Sequence, residues 1–103
     1  MTKAEKGRLE AHGWKVGTAE EFLGLTPEEA AYVELRLKLA AAVREFRQKK
    51  QLTQVQLATL LESSQSRVAK AEAGDESVSL DLLIRSLFAL GASRRDIARM
   101  IAR

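Results

Sequence analysis

Apolar side chains recur along most of the chain at the three- and four-residue spacing of amphipathic helices. The longest such stripe predicts a helix from about Pro27 to Lys49, and it consists of Leu35, Leu39, Ala42, Val43 and Phe46. Shorter stripes predict four further helices, marked by Val55, Leu57, Ala58 and Leu61, by Val68, by Leu80, Leu83, Ile84, Leu87 and Leu90, and by Ile97, Met100 and Ile101. The pattern therefore predicts an all-α fold.

Helix-start and helix-stop signals separate these stripes. The first residues of the predicted helices carry capping boxes, in which a hydroxyl accepts from the N3 amide and the N3 side chain reaches back. The boxes are Thr18–Glu21, Thr26–Glu29, Thr53–Gln56 and, more weakly, Ser93–Asp96. Pro27 occupies a first helical position, and Gly24, Gly74 and Gly91 follow apolar segments where a left-handed helix end favours glycine.

Composition excludes most kinds of catalysis. The chain has no Cys and a single His, His12, so thiol chemistry and multi-histidine zinc sites are ruled out. The longest apolar run, Leu39–Val43, is far shorter than the roughly 20 residues of a membrane span. Because no apolar segment of a secretory signal opens the chain, we expect a soluble cytoplasmic protein. It should be no enzyme, hold no metal or cofactor and contact no membrane.

The charge of the chain is divided unevenly. The total of +3 hides a front part, residues 1–34, with four basic and seven acidic side chains, and a remainder with 13 basic and seven acidic ones. The front part is thus at −3 and the remainder at +6. A basic region of this size can attract a polyanion, although a solvated surface explains the same charges.

The most specific segment is Leu52–Gly74, LTQVQLATLLESSQSRVAKAEAG. It predicts two short helices joined by a tight polar turn, with the small Ala58 at their crossing, so that the second helix can protrude into a major groove. The segment resembles the phage-repressor-like, or Xre-type, helix-turn-helix family, in its Leu52–Gln54 opening, Leu57–Ala58, Leu61, Ser64–Ser66, Val68 and the closing Glu72-x-Gly74.

The resemblance covers about residues 36–91 and implies a five-helix, lambda-repressor-like domain with an N-terminal extension. We expect the extension at residues 1–26, the DNA-binding domain at 27–103 and the helix-turn-helix at about 53–73. The family usually has glycine where this chain has Glu62. A left-handed Glu62 would cost roughly 1 kcal/mol; another conformation there would re-aim the second helix.

The resemblance also implies roles for individual residues in binding double-stranded DNA. Gln65 matches the base-reading position, and a Gln amide can pair with adenine through two hydrogen bonds. The predicted base-reading residues are Gln65, Ser66, Arg67 and Lys70. The predicted phosphate contacts are Gln54, Thr53, Ser64, Arg44, Lys49 and Lys50. For the base-reading side chains, ordinary exposure on a solvated helix is the alternative. For Arg44, Lys49 and Lys50 it is the favourable placement of cations at the C-terminal end of a helix.

Glu72 is acidic on a helix meant to face DNA, so we expect it to point elsewhere. In the family this residue pairs with an arginine of the preceding long helix, and Arg47 is the matching position. Removing one partner of such a pair would cost about 3–5 kcal/mol if the pair is well buried.

The front segment resembles the leader of a subgroup of these regulators, the antitoxins of type II toxin–antitoxin modules. That resemblance implies a small ribonuclease-type toxin as partner, with Trp14, Phe22 and Leu25 as apolar anchors; packing on the long helix is the alternative. Proteins of this type bind palindromic operators as homodimers. The sequence thus predicts a transcriptional repressor, with an antitoxin that regulates its own operon as the setting. A stand-alone phage-type repressor and a protein-interaction module that keeps the fold are the alternatives.

Overall fold

The computed structural model describes residues 24–103, which form five helices and no strands. The helices are α1 (Pro27–Lys49), α2 (Gln54–Leu60), α3 (Gln65–Glu72), α4 (Leu80–Ala89) and α5 (Arg94–Ala102). The chain divides into two units after Glu34. Residues 24–34 are the described part of the first unit, and they include the start of α1. The all-α prediction is confirmed, and the second unit, Leu35–Arg103, carries the motif.

Side-chain caps define where the helices begin. Thr26, Thr53 and Ser93 form complete capping boxes with Glu29, Gln56 and Asp96, as their spacing predicts. Ser64 and Ser79 cap α3 and α4 by accepting from the amides of Arg67 and Leu82. Each cap satisfies an amide that has no partner within its helix. The predicted box at Thr18 lies outside the described residues.

Four helices end in the same backbone motif. In each, the residue after the cap has a positive φ, and the next amide donates to a carbonyl five residues back, which is the Schellman arrangement. Gly74 and Gly91 fill this position after α3 and α4, as predicted, with φ of 72° and 92°. Gln51 and Glu62 fill it after α1 and α2, with φ of 58° and 54°. Glu62 is therefore left-handed, which keeps the turn between α2 and α3 in the geometry that glycine would give.

The core lies among the five helices of the second unit. Its largest fully buried side chains are Leu39, Val43, Leu57, Val68, Leu83, Leu87 and Leu90. Leu35, Phe46, Leu61 and Ile84 are partly buried against it. Val55 belongs to the apolar stripe that predicts α2 but lies outside the core, because the residue is 59% exposed. Val55 lies near the start of α2, and Leu57 and Ala58 supply the buried face of that short helix.

Arg36 fixes the connection between α3 and α4. Its side chain is buried, at 8% exposure, and its Nη1 donates to the carbonyl of Val78 and, at 3.2 Å, to that of Asp75. A buried guanidinium needs such acceptors, because an unsatisfied charge in the interior is costly. The contact holds the loop that follows the second motif helix against α1.

Candidate nucleic-acid interface

The second motif helix, α3, presents a polar face to solvent. Val68 and Ala71 turn inward and are fully buried, and Ala58 of α2 is buried as well. The small side chains allow the close approach of the two helices. Gln65, Ser66, Arg67 and Lys70 are all exposed, so the four predicted base-reading residues share one accessible helix.

A series of hydrogen bonds links the Gln65 side chain to Gln54 and then to Glu72. Gln65 Nε2 donates to Gln54 Oε1 at 2.7 Å. Gln54 Nε2 in turn donates to Glu72 Oε1 at 3.2 Å. The first residue of α3 is thereby tied to the first residue of α2 and to the last residue of its own helix. The Gln65 amide is oriented before any ligand arrives.

The series of hydrogen bonds ends at an ion pair between α1 and α3. Arg47 Nε and Nη2 donate to the two carboxylate oxygens of Glu72 at 2.5 and 3.0 Å. Only 13% of the Arg47 side chain and 4% of that of Glu72 are exposed. Arg47 Nη1 also donates to the carbonyl of Leu52 at 2.8 Å. The hydrogen bonds to Glu72 raise the pKa of Arg47, and the pair carries Glu72 away from the exposed face.

Two polar clefts run along α3, one on each side. We call the first the α1-side cleft, lined by Arg44, Arg47, Gln54, Ala69, Glu72 and Ala73. The second, the loop-side cleft, is lined by Ser64, Ser66, Arg67, Lys70, Ser77 and Val78. Cationic side chains therefore flank the helix on both sides. This is the arrangement that suits two phosphate backbones bordering a groove.

The predicted phosphate contacts differ in their surroundings. Arg44 and Gln54 meet in the α1-side cleft, and Ser64 lies in the loop-side cleft. Thr53 is engaged in capping α2. Lys49 holds its Nζ 5.8 Å from the centroid of the Phe46 ring.

Lys50 points to a different part of the fold. Its Nζ lies beside Gly91, 3.3 Å from where a β-carbon would stand on that residue. An ammonium at this place is favoured by the carbonyl groups at the C-terminal end of α4.

Two residues of this region escape prediction from sequence. Ser77 lines the loop-side cleft, where its amide donates to Asp75 Oδ1 at 2.8 Å. Arg36 fixes the same loop from α1. Ser77 lies outside the motif, and the contacts of Arg36 span about forty residues of sequence, so no local pattern marks either of them. Of the predicted partner anchors, Leu25 is half-buried, and Trp14 and Phe22 lie outside the described residues.

Metal-ligand clusters and membrane-spanning helices are both absent from the described residues. No group of three or more His, Cys, Asp or Glu side chains within residues 24–103 is placed to hold a metal. In the same range no helix is long and apolar enough to cross a bilayer.

Two short helices joined by a capped turn, with an exposed polar second helix, define a helix-turn-helix protein. A family model described as a helix-turn-helix domain matches residues 22–94, so the chain belongs to the helix-turn-helix family. No curated protein and no solved structure matches it significantly. Domains of this family bind DNA and are typically not enzymes.

Proposed function

We propose that this protein is a sequence-specific DNA-binding transcriptional repressor. The observation that supports it best is the Gln65 amide, exposed at the start of α3 and held from behind by Gln54 at 2.7 Å. The N-terminal residues of the second motif helix are the ones that meet base edges. Gln65 accepts from N6 and donates to N7 of an adenine.

The remaining polar residues divide between bases and backbone. Ser66, Arg67 and Lys70 follow Gln65 along the exposed face of α3 and reach base edges or the phosphates beside the loop-side cleft. The phosphates are held by Thr53, Gln54, Ser64, Arg44 and Lys49. Lys50 lies beside Gly91 at the end of α4 and is not among these contacts. These contacts fix the register of the helix in the groove without reading sequence themselves.

The protein acts as a homodimer on a palindromic operator. One short recognition helix reads few base pairs, so two half-sites about one helical turn apart supply the specificity. Phe88 of α4 and Ile101 of α5 remain exposed, and they are the apolar side chains that a second copy would cover.

A double substitution tests the DNA-reading role. Gln65→Ala with Lys70→Ala should abolish the mobility shift of the upstream promoter fragment while helicity by circular dichroism stays unchanged. Arg85→Ala also removes one exposed cation, from α4, and should retain binding. Unchanged binding by the double variant would contradict the proposal and favour a protein-interaction module that keeps the fold.

We further propose that the repressor is the antitoxin of a type II toxin–antitoxin module that regulates its own operon. The acidic front part, at −3 against +6 for the remainder, supports this setting, because a basic ribonuclease-type toxin needs an acidic partner surface. The N-terminal extension, residues 1–26, is the partner-binding segment, and the excess negative charge of the front part comes from Glu28, Glu29 and Glu34 of α1.

Co-expression with a small basic protein encoded beside this one tests that setting. The wild-type chain should restore growth, and Trp14→Ala with Phe22→Ala should not, while the variant still shifts the promoter fragment. If the variant neutralises the toxin as fully as the wild-type chain does, Trp14 and Phe22 are not the residues that bind it. If the neighbouring protein is not toxic, the antitoxin setting is excluded and the stand-alone repressor remains.

A further inference from the structure

The hydrogen-bond chain behind Gln65 has one consistent polarity. The Glu72 carboxylate, bound to Arg47 through both oxygens, can only accept hydrogen bonds. Gln54 must therefore turn its Nε2 toward Glu72, which leaves its Oε1 facing α3. Because an oxygen faces Gln65, that residue must direct its own Nε2 inward. The orientation of both amides follows from one ion pair.

The polarity decides which atoms Gln65 offers to DNA. One N–H of its Nε2 is used by Gln54, so Oε1 and the second N–H remain for a base edge. Adenine presents the matching pair, a donor at N6 and an acceptor at N7. Guanine presents two acceptors, O6 and N7, and would set its O6 against the Gln65 oxygen. An amide without the tether can turn its NH₂ toward guanine instead.

We infer that Glu72, acting through Gln54, is a positioning residue that sets the preference of Gln65 for adenine over guanine. The inference rests on the proposed DNA-reading function and goes beyond it. It gives a specificity role to a carboxylate whose side chain is only 4% exposed and is paired with Arg47. The Arg47–Glu72 pair then has two consequences, one for the packing of α1 on α3 and one for base selection.

Selection from a randomised double-stranded DNA library, with the bound fragments sequenced, tests this inference without a known operator. The wild-type chain should select adenine at one position of each half-site, and Gln65→Ala should remove that preference. Gln54→Ala should lower the adenine-over-guanine ratio there by roughly fivefold or more, the low end of the value of one bidentate contact.

A matched control separates positioning from the loss of a phosphate contact. Lys49→Ala removes a proposed phosphate contact from outside the hydrogen-bond chain, so it should weaken binding equally for all sequences. If Gln54→Ala behaves in the same way, with the base preference intact, Gln54 only contacts the backbone and the inference is wrong.

Exchanging the two side chains tests the contribution of Glu72 itself. Glu72→Gln should relax the preference, because an amide there can present either atom to Gln54. The double variant Gln54→Glu with Glu72→Gln should restore it, since the carboxylate at position 54 accepts from Gln65 and from the new amide. A merely structural role of Glu72 predicts no such recovery of base preference.

Each result has a distinct meaning. Thermal melting shows which variants are folded. If Glu72→Gln does not fold, the comparison of Gln54→Ala with Lys49→Ala still tests the hydrogen-bonded path through Gln54 on which the role of Glu72 depends. A wild-type chain that selects no sequence overturns the proposed function. Sequence selection that is unchanged in Gln54→Ala, or not restored in a folded double variant, overturns only the role of Glu72.

Discussion

Glu62 holds a backbone conformation that an L-residue adopts at a cost. Its φ is 54°, in the left-handed region where a β-carbon crowds the following carbonyl by about 1–2 kcal/mol. Glu62→Gly relieves that crowding, partly offset by the greater freedom of glycine in the unfolded chain. We expect a net stabilisation of about 1 kcal/mol, which raises Tm by roughly 4–8 °C in a domain of this size.

Glu62→Ala is the matched control for this prediction. It removes the same exposed side chain but keeps the β-carbon, so thermal denaturation should show little change in Tm. An equal rise in Tm for the two variants would mean that the side chain, and not the backbone, is responsible.

Gly74 and Gly91 occupy equivalent positions at the ends of two helices but have different neighbours. A β-carbon on Gly74 would lie 2.6 Å from Leu37 Cδ2, whereas one on Gly91 would meet only the flexible end of Lys50, at 3.3 Å. Both alanine variants incur left-handed strain, and Gly74→Ala also forces the end of the Leu37 side chain to move.

Urea denaturation should therefore rank the two variants. Gly74→Ala should lower the free energy of unfolding by more than Gly91→Ala does. Equal losses would show that Leu37, itself half exposed, moves aside without cost.

At the scale of the helices, the sequence predicts what depends on neighbours in the chain. Signals within three or four residues predict the roles of Thr53, Ser93 and Gly74, and the structure has them as caps or helix ends. The features that the sequence does not predict depend on tertiary packing. Arg36 can be buried because two carbonyl groups about forty residues away accept hydrogen bonds from it. Gln51 has a left-handed backbone, although it is not a glycine and so gives no sequence signal for that conformation.

The same limit applies to the candidate site. The positions of Gln65 and Gln54 follow from the motif, but the hydrogen bond from Gln54 to Glu72 joins two helices and is seen only in the structure. Lys50 is similar: its charge is visible in the sequence, whereas its place beside Gly91 depends on how α1 meets the end of α4.

The cap of α5 makes the stability of that helix depend on pH. Asp96 accepts from the amide of Ser93 at 2.9 Å, and the hydrogen bonds from Ser93 lower its pKa below the ordinary 3.8. The folded state thus binds this proton more weakly than the unfolded state does. The resulting stabilisation is fully present above the ordinary pKa and is lost as the pH falls through the lowered one.

Measuring Tm from about pH 6 to about pH 3 checks this dependence. Tm of the wild-type chain should fall more steeply below about pH 4 than that of Asp96→Asn, whose side chain does not titrate. Other carboxylates act equally in both proteins, so the difference isolates Asp96. Parallel curves would show that its protonation is not linked to folding.

At the scale of the whole molecule, charge placement matters more than the total. A net charge of +3 is small, but Arg44 lies on one side of α3 and Arg67 and Lys70 lie on the other. Cations placed this way can neutralise phosphates on both strands, and each neutralised phosphate releases a bound counterion. Salt dependence therefore counts the phosphate contacts directly, whatever the operator sequence.

If four to six cations of each protomer contact phosphate, log K for DNA binding should fall with log salt at a slope of roughly −4 to −6 per protomer. Lys49→Ala should reduce that slope by about one, as expected for a lost phosphate contact. Gln65→Ala removes an uncharged base contact, so it should lower affinity for the operator and leave the slope unchanged. Titrations at several salt concentrations measure both quantities together. A slope near zero would mean that the cations beside α3 do not contact the backbone, and base reading by Gln65 would then lack the anchoring that positions this helix in the groove.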